Sequence, residues 1–291
     1  MQRDDLDGPV TFREWPGPEE ATFVLVHGLG GSHVNWVRVA GGLAGLGRVL
    51  ALDLPGFGWS PRAGRDTGLM DLRRTFGRFI ERHASGSVVL CGNSMGGAVV
   101  LLQAAIEPSG VAGVILTASV FPWSRGAFPH PAVIGAFAAY DSGPLGERFV
   151  RERTRRLAPE RAVRMGLALT TARPALLPRD VVDLQVEAIR ARARDPEAPA
   201  AFVDAARSLL RIGRRPDIAR RVLEAVRCPV LVVHGRRDRL VPARFAEAAL
   251  ARHPAWRARL LPNVGHLPML EAPGRWLAEV ADWHAEVVDR S

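Results

Sequence analysis

The sequence predicts an α/β fold, with a doubly wound, mostly parallel sheet that carries a helical insertion. Short apolar runs rich in β-branched residues alternate with helical patterns from residue 22 to residue 117, as strands and helices do in such a sheet. Strand-like runs are missing from about residue 120 to residue 217 and resume near Pro229. With 291 residues, 47% of them hydrophobic, the chain is long enough for one large core.

The first half of the chain contains most of the predicted sheet. Its apolar runs are short and uninterrupted, which suits strands that are buried on both faces. Residues 1–20 are expected to form a polar lead-in that contains one edge strand. Strands are predicted at residues 10–15, 22–26, 48–52, 88–91 and 111–117, and helices at residues 34–46, 68–83 and 98–102.

Residues 120–216 are predicted to be a helical cap, or lid, domain. The segment is rich in arginine and helical in pattern, and prolines interrupt it repeatedly. Ligands of doubly wound sheets bind outside the carboxyl ends of the strands, so an insertion that leaves from this edge would cover them. The core domain then consists of residues 1–119 and 217–291. Its last strands are expected at residues 230–233 and 259–261.

The residues around Ser94 carry the clearest motif of the chain. Gly92 and Gly96 lie two positions before and two positions after this serine, between an apolar strand and a helix. A tight strand-to-helix turn forces its central residue to a positive φ and brings the two elements close together, so its neighbours must lack side chains. The pattern G-x-S-x-G resembles the nucleophile elbow of the α/β-hydrolase superfamily. This resemblance covers residues 22–119 and 217–285 and implies that Ser94 is a catalytic nucleophile.

A serine nucleophile needs a base and an acid that orients the base. Asp238 follows the strand at residues 230–233 in a strand-Gly-x-x-Asp pattern, and the resemblance implies that it is the acid. The alternative is an ordinary loop carboxylate paired with a neighbouring arginine, for which the sequence offers Arg236, Arg237 and Arg239.

His266 is the candidate base. A Gly-His pair follows the predicted strand at residues 259–261, and it resembles the histidine loop of the superfamily. The chain order Ser, Asp, His is the one expected for this fold. The other histidines lack this position, and His234, close to Asp238, is expected to be structural.

The resemblance also implies an oxyanion hole built from two backbone N–H groups. One belongs to Met95, which directly follows the nucleophile, and the other to Leu29 in the loop His27-Gly28-Leu29-Gly30. His27 is then expected to brace this loop. Asp53 begins the segment DLPGFGWS, which also resembles a superfamily turn, and no catalytic role is assigned to it.

A serine nucleophile predicts an acyl-enzyme and therefore an ester, thioester, lactone or amide substrate. Because the elbow residue is Ser94, the chain differs from relatives of this fold that use an aspartate nucleophile, such as haloalkane dehalogenases. We expect a carboxylesterase that acts on a small-molecule, apolar acyl substrate. Aromatic residues of the insertion either line an apolar pocket or simply pack the cap, and these are Phe121, Trp123, Phe128, Phe137 and Tyr140.

Two alternatives from other classes stay open. The first is a carbon–carbon bond hydrolase of the meta-cleavage-product type, whose elbow the segment GNSMGG resembles. That group usually has a proline in an H-G-x-G-P-G loop and a tryptophan directly after the base. This chain has HGLGG in the loop and Leu267 after His266. The second is a non-catalytic binding protein on the same fold, which would usually lack one triad member. Labelling of Ser94 by a fluorophosphonate separates enzyme from binding protein.

The composition limits which partners and which cellular compartment can be expected for this chain. The net charge is +9, and all 39 basic residues are arginine, a genome-wide bias rather than a nucleic-acid signature, since no basic arm stands out. The two cysteines, Cys91 and Cys228, predict buried thiols rather than a disulfide framework. No signal peptide, membrane span, metal cluster or dinucleotide motif is visible. We expect a cytoplasmic protein without cofactor, and a homodimer stays open.

Overall fold

One sheet organises the residues that the computed structural model describes, which are 1–120 and 128–287. In this part of the chain the strands lie in the order β1-β2-β4-β3-β5-β6-β7-β8. The pairs β1–β2 and β2–β4 are antiparallel and the others are parallel, which confirms the predicted sheet. The strands are β1 (Gln2–Asp5), β2 (Pro9–Trp15), β3 (Ala21–Val26), β4 (Arg48–Asp53), β5 (Ser87–Asn93), β6 (Val111–Thr117), β7 (Val230–Gly235) and β8 (Arg257–Leu261).

Helices cover both faces of the sheet, which is why the central strands are buried on both sides. Alternate residues of β3 illustrate this, since Val24 and Val26 pack in one apolar core and Phe23 and Leu25 in the other. The helices are α1 (Val37–Leu43), α2 (Leu69–His83), α3 (Met95–Ile106), α4 (Pro131–Asp141), α5 (Pro144–Arg156), α6 (Pro159–Thr170), α7 (Arg179–Arg192), α8 (Ala198–Gly213), α9 (Pro216–Ala225), α10 (Ala243–Leu250), α11 (Pro268–Glu271) and α12 (Pro273–Val287).

The apolar pattern of each helix determines the core that it joins. Helix α2 buries Leu72, Phe76 and Phe79 at helical spacing and packs against α3, and this side also holds the buried face of α9. On the other side, α1 packs against α11 and α12, where Trp276 and Trp283 are fully buried. The carboxyl ends of the parallel strands therefore remain free to carry loops.

The beginning of the chain differs from the prediction. Residues 2–5 form strand β1, so the polar lead-in is wrong, and β2 lies second in the sheet rather than at its edge. The segment Gln-Arg-Asp-Asp lacks the apolar alternation of a half-buried strand because its side chains stay largely in solvent. Charged residues are typical of edge strands, since they discourage pairing with another chain.

Between β6 and β7 the described residues form helices α4 to α9 and no strand. This agrees with the helical pattern predicted for the insertion. The division into a core domain and a cap domain at residues 120–216 stays a prediction. Helix α9 begins at Pro216, at the predicted boundary, and packs against α3 of the core.

The two cysteines are both free thiols. Cys91 is buried in β5, and burial raises its pKa well above the ordinary value. Cys228 is only partly buried, contrary to the prediction, and burial raises its pKa to about 11. Both thiols are therefore protonated at neutral pH and unreactive.

Candidate active site

Ser94 occupies a strained turn between β5 and α3. Its φ and ψ are 55° and −116°. This conformation is strained, and therefore unfavourable in free energy, for any residue that has a side chain. The two flanking glycines allow this turn sterically. A Cβ on Gly92 would lie 2.4 Å from the carbonyl oxygen of Gly96, and one on Gly96 would lie 2.4 Å from the carbonyl oxygen of Val26. The structure thus supplies the steric reason for the G-x-S-x-G spacing.

Asp238 is a buried carboxylate that is held by several donors. Its Oδ1 accepts hydrogen bonds from the backbone N–H groups of Leu240 (2.8 Å) and Val241 (2.9 Å). Its Oδ2 accepts one from Nδ1 of His266 at 2.7 Å. Pairing with a neighbouring arginine, the alternative drawn from the sequence, does not occur among the described residues.

The protonation state of Asp238 follows from its surroundings. Burial by itself would raise the pKa of this carboxyl, but the charge and hydrogen bonds of His266 and the hydrogen bond of His234 outweigh burial and hold the pKa well below its ordinary value. Asp238 is therefore an anion at neutral pH. An anion accepts but does not donate, so the hydrogen on His266 Nδ1 points to Asp238 and, in the neutral ring, Nε2 is free to take a proton.

Two hydrogen bonds of its backbone fix the position of His266, in addition to the bond from its Nδ1 to Asp238. Its backbone N–H donates to the carbonyl oxygen of Thr170, at the end of α6, at 2.6 Å. Its own carbonyl oxygen accepts from the side-chain amide of Asn93 at 3.3 Å, and Asn93 directly precedes Ser94. Ser94 and His266 line the same cavity, although no hydrogen bond joins their side chains in the described part of the chain. Such bonds are often long in unliganded enzymes.

Glu271 supports this loop, and the sequence analysis missed it. Its Oε1 accepts from the backbone N–H groups of Gly265 (2.9 Å) and Leu267 (3.3 Å), on either side of His266. Its Oε2 accepts from the N–H of Ala172 at 2.7 Å. Glu271 therefore ties the His266 loop to the segment that follows α6. Only its place near the loop could have indicated this, because an acid at a helix start is common.

His234 was expected to be structural, and the structure places it in contact with Asp238. Its Nε2 lies 2.8 Å from the carbonyl oxygen of Val241 and 3.2 Å from Asp238 Oδ2. A carbonyl oxygen accepts only, so Nε2 carries the hydrogen and serves both oxygens. Nδ1 is buried and has no hydrogen-bond partner among the described residues.

The predicted oxyanion loop lies beside the serine. A Cβ on Gly28 would lie 3.0 Å from the Cβ of Ser94, so a side chain at this position would crowd the serine. His27 braces the loop because its Nδ1 donates to the carbonyl oxygen of Gly28 (2.7 Å) and its Nε2 accepts from the N–H of Leu54 (3.1 Å). Burial lowers the pKa of His27 and keeps it neutral. Leu29 lines the cavity, and Met95 follows Ser94 at the start of α3.

Asp53 has a different surrounding. It is buried at the end of β4 and accepts from the backbone N–H of His33 (2.6 Å) and of Trp59 (2.9 Å). Nδ1 of His33 also lies 3.0 Å from it. Asp53 does not line the cavity that holds Ser94, so its contacts are those of a residue that shapes the turn after β4.

The cavity has a volume of about 540 Å³, within the range of small-molecule sites. Its wall is formed by the loop at Gly28, by Ser94 and His266, and by residues of helices α4 to α8. Phe137 and Tyr140 line it, which is one of the two alternatives drawn from the sequence. Phe128 does not, because its side chain is 73% exposed, and the predictions for Phe121 and Trp123 lie outside the described residues.

No group of three or more histidine, cysteine, aspartate or glutamate side chains in residues 1–120 and 128–287 could hold a metal ion. No helix in the same part of the chain is both long and apolar enough to cross a membrane.

Comparison with known proteins gives a family match. The sequence model of the Alpha/beta hydrolase family matches residues 23–280. The chain is 31% identical over 261 residues to the dihydrolipoyllysine-residue acetyltransferase component of the acetoin cleaving system of Pseudomonas putida, which covers 89% of this chain and 62% of that protein. It thus spans less than two thirds of the length of that relative.

Two further similarities cover nearly all of both chains. Pimeloyl-[acyl-carrier protein] methyl ester esterase of Edwardsiella ictaluri is 27% identical over 268 residues, 92% of this chain and 94% of that protein. The solved structure of a thermophilic esterase from Thermogutta terrifontis, with malate bound, is similar with a TM-score of 0.75 and 24% identity, and it covers 99% of each chain. The structural similarity shows that the two share a fold.

Proposed function

Because this chain belongs to the alpha/beta hydrolase family, we propose that it is a serine carboxylesterase that forms an acyl-enzyme on Ser94, with His266 as base and Asp238 as orienting acid. One observation carries the proposal. A serine on a strained elbow lines the same cavity as a histidine that is hydrogen-bonded to a buried carboxylate. The Edwardsiella relative, an esterase by name, supports an ester as the substrate.

In the first half of the reaction Nε2 of His266 takes the proton of the Ser94 hydroxyl while Oγ attacks the ester carbonyl carbon. The carbonyl electrons move to oxygen, and the backbone N–H groups of Leu29 and Met95 donate to this oxyanion. When the tetrahedral intermediate collapses, the bond to the alkoxy oxygen breaks. His266 returns its proton to that oxygen, and the alcohol leaves with the acyl group bound to Ser94.

In the second half a water molecule replaces the alcohol. His266 takes one proton from the water, and the hydroxide attacks the acyl carbon through the same oxyanion geometry. The Ser94–acyl bond then breaks, the serine recovers its proton from His266, and a carboxylic acid is released. Asp238 stays ionised throughout, because its contacts hold its pKa low, and it stabilises the imidazolium that forms twice in each cycle.

The wall of the cavity supports a small, largely apolar substrate. Apart from the site residues, it is lined mainly by aliphatic and aromatic side chains from helices α4 to α8. A volume of about 540 Å³ suits a small molecule rather than a long lipid. We propose that residues 120–216 form the cap domain that covers the substrate, because helices from this segment supply most of that wall.

A chain-length series of 4-nitrophenyl esters tests the proposal, run beside a panel of dienone substrates for carbon–carbon cleavage. We expect the native protein to hydrolyse the short esters faster than the dienones, and Ser94→Ala to reduce turnover to background. The control is Ser119→Ala, since Ser119 is also buried near the elbow but does not line the cavity. Dienone cleavage without ester hydrolysis would favour the carbon–carbon hydrolase, and turnover that survives Ser94→Ala would contradict the proposal.

A further inference from the structure

The cavity contains a positive charge that ester hydrolysis by itself does not require. Arg192 is the last residue of α7, and its side chain lines the cavity that holds Ser94. Its Nη1 lies 3.4 Å from the carbonyl oxygen of Gly30, in the loop of Leu29. Its guanidinium carbon lies 5.8 Å from the ring centre of Phe202, another wall residue. The charge therefore lies in the wall of the cavity that holds Ser94, next to the loop of Leu29, rather than on the outer surface.

No carboxylate of the described residues balances this charge. Among the described residues, no acidic side chain lies within ion-pair distance of Arg192, and neither aspartate nor glutamate lines the cavity. The undescribed stretches contain a single acidic residue, Asp289, near the end of the chain. A guanidinium has five N–H donors, and the long contact with Gly30 occupies one of them. Most donors of Arg192 are left for a group inside the cavity.

Other arginines of the chain show what the usual arrangement is. Arg190, two residues earlier on α7, lies on the outside and pairs with Glu160. Arg214 also reaches the cavity, but it pairs with Asp141 at 2.7 Å. Burial lowers the pKa of Arg192 to about 10, which still leaves it charged at neutral pH. A partly desolvated, unbalanced cation is unfavourable unless an anion joins it.

We propose that the substrate is an ester that also carries a carboxylate, and that Arg192 binds this carboxylate. This inference rests on the proposed function and names its substrate class. A carboxylate matches one guanidinium in charge and in its two parallel N–H donors. A second guanidinium, that of Arg153 on α5, also lines the cavity and lies 3.5 Å from the hydroxyl of Tyr140. The scissile ester then lies at Ser94, and the carboxylate lies against Arg192, next to Gly30 of the same loop.

Matched ester pairs test this inference. One pair has the charge on the acyl side, namely the 4-nitrophenyl monoester of adipic acid and its methyl-capped neutral form. The other has it on the alcohol side, namely 4-acetoxybenzoate and its methyl ester. At pH 8 we expect the native protein to favour the anionic member of one pair in kcat/KM, and the pair that shows the preference tells which side of the ester faces Arg192.

The variants separate substrate binding from a purely structural role. Arg192→Met is expected to lower the anionic-to-neutral ratio of kcat/KM by about 30-fold or more, the effect of removing a desolvated charge partner. Arg192→Lys should retain part of the preference. Arg190→Gln removes the same charge from the outside of the same helix and should leave the ratio unchanged. Equal losses on both members of each pair would mean that Arg192 only braces Gly30, and would overturn the inference.

A binding measurement decides the question without turnover. Calorimetric titration with monomethyl adipate uses the Ser94→Ala protein, combined with either Arg192→Met or Arg190→Gln. We expect the first combination to weaken binding at least tenfold relative to the second. Equal binding would overturn the inference even if esters are hydrolysed, whereas a failure to hydrolyse any ester, with Arg192-dependent binding intact, would overturn only the proposed function.

Discussion

Replacing Ser94 by glycine is expected to give a more stable protein than replacing it by alanine. Both changes remove the hydroxyl, so neither variant should turn over an ester, and the comparison isolates the backbone. At φ 55° and ψ −116° any residue with a Cβ is strained, whereas glycine adopts such angles readily. The strain at the elbow therefore becomes measurable as a difference between two inactive proteins.

The size of the difference follows from two opposing contributions. Strained backbone angles cost about 1–3 kcal/mol in a residue that is not glycine. Glycine loses more conformational freedom on folding than alanine, which costs about 0.5–1 kcal/mol. We therefore expect Ser94→Gly to exceed Ser94→Ala in free energy of unfolding by about 1 kcal/mol, which corresponds to about 1.5–2 °C in Tm for a protein of this size.

Urea unfolding followed by tryptophan fluorescence measures this difference, since Trp36, Trp276 and Trp283 are fully buried. The matched control is Ala98→Gly, four residues later in α3, where the backbone is helical and glycine should cost about 1 kcal/mol. If Ser94→Gly is less stable than Ser94→Ala by a similar amount, the backbone at residue 94 is not strained and the interpretation of the elbow is refuted.

Three other changes probe the support of the site. Glu271→Gln should lower kcat about tenfold with little change in KM, because an amide cannot accept at both ends and the His266 loop shifts; an unaltered kcat would rule out this positioning role. His234→Phe should lower the free energy of unfolding by about 1–3 kcal/mol in urea, since it leaves the carbonyl oxygen of Val241 unpaired, and full stability would argue against that hydrogen bond. Asp238→Asn should weaken the fall in free energy of unfolding at acid pH. Contacts hold the pKa of Asp238 in the folded protein below its ordinary value of 3.8. The native carboxylate therefore stabilises the fold above pH 3.8, and this contribution is lost as the pH falls below that value. Urea midpoints of both proteins between pH 6 and pH 3 check this, and parallel curves would contradict it.

The core of the fold could be predicted because its signals are local. Each parallel strand is a short apolar run, and each motif lies at the end of such a run, so the side chains at the carboxyl edge follow from the order of the strands. Ser94, Asp238 and His266 were predicted in this way, and the structure brings the last two into a hydrogen bond. Strand β1 was missed because its charged sequence shows no period, and its strand form depends on pairing with β2.

The support of the site could not be predicted, since it depends on contacts between distant parts of the chain. Glu271 accepts a hydrogen bond from the backbone N–H of Ala172, 99 positions earlier. Arg192 is one of 39 arginines, and most of them are expected to be solvated, so composition does not distinguish an arginine that lines the cavity. Phe128 shows the same limit, because the sequence left open whether it lines the pocket or packs the cap, and it is exposed instead.

Covalent labelling tests the proposed nucleophile most directly. The native protein is incubated with a fluorophosphonate, digested, and the modified peptide is identified by mass spectrometry. We expect one adduct on Ser94, loss of esterase activity in proportion to labelling, and no adduct in Ser94→Ala or, on the same time scale, in His266→Ala. Labelling of another residue, or an unlabelled protein that still hydrolyses esters, would contradict the assignment of Ser94 as the nucleophile.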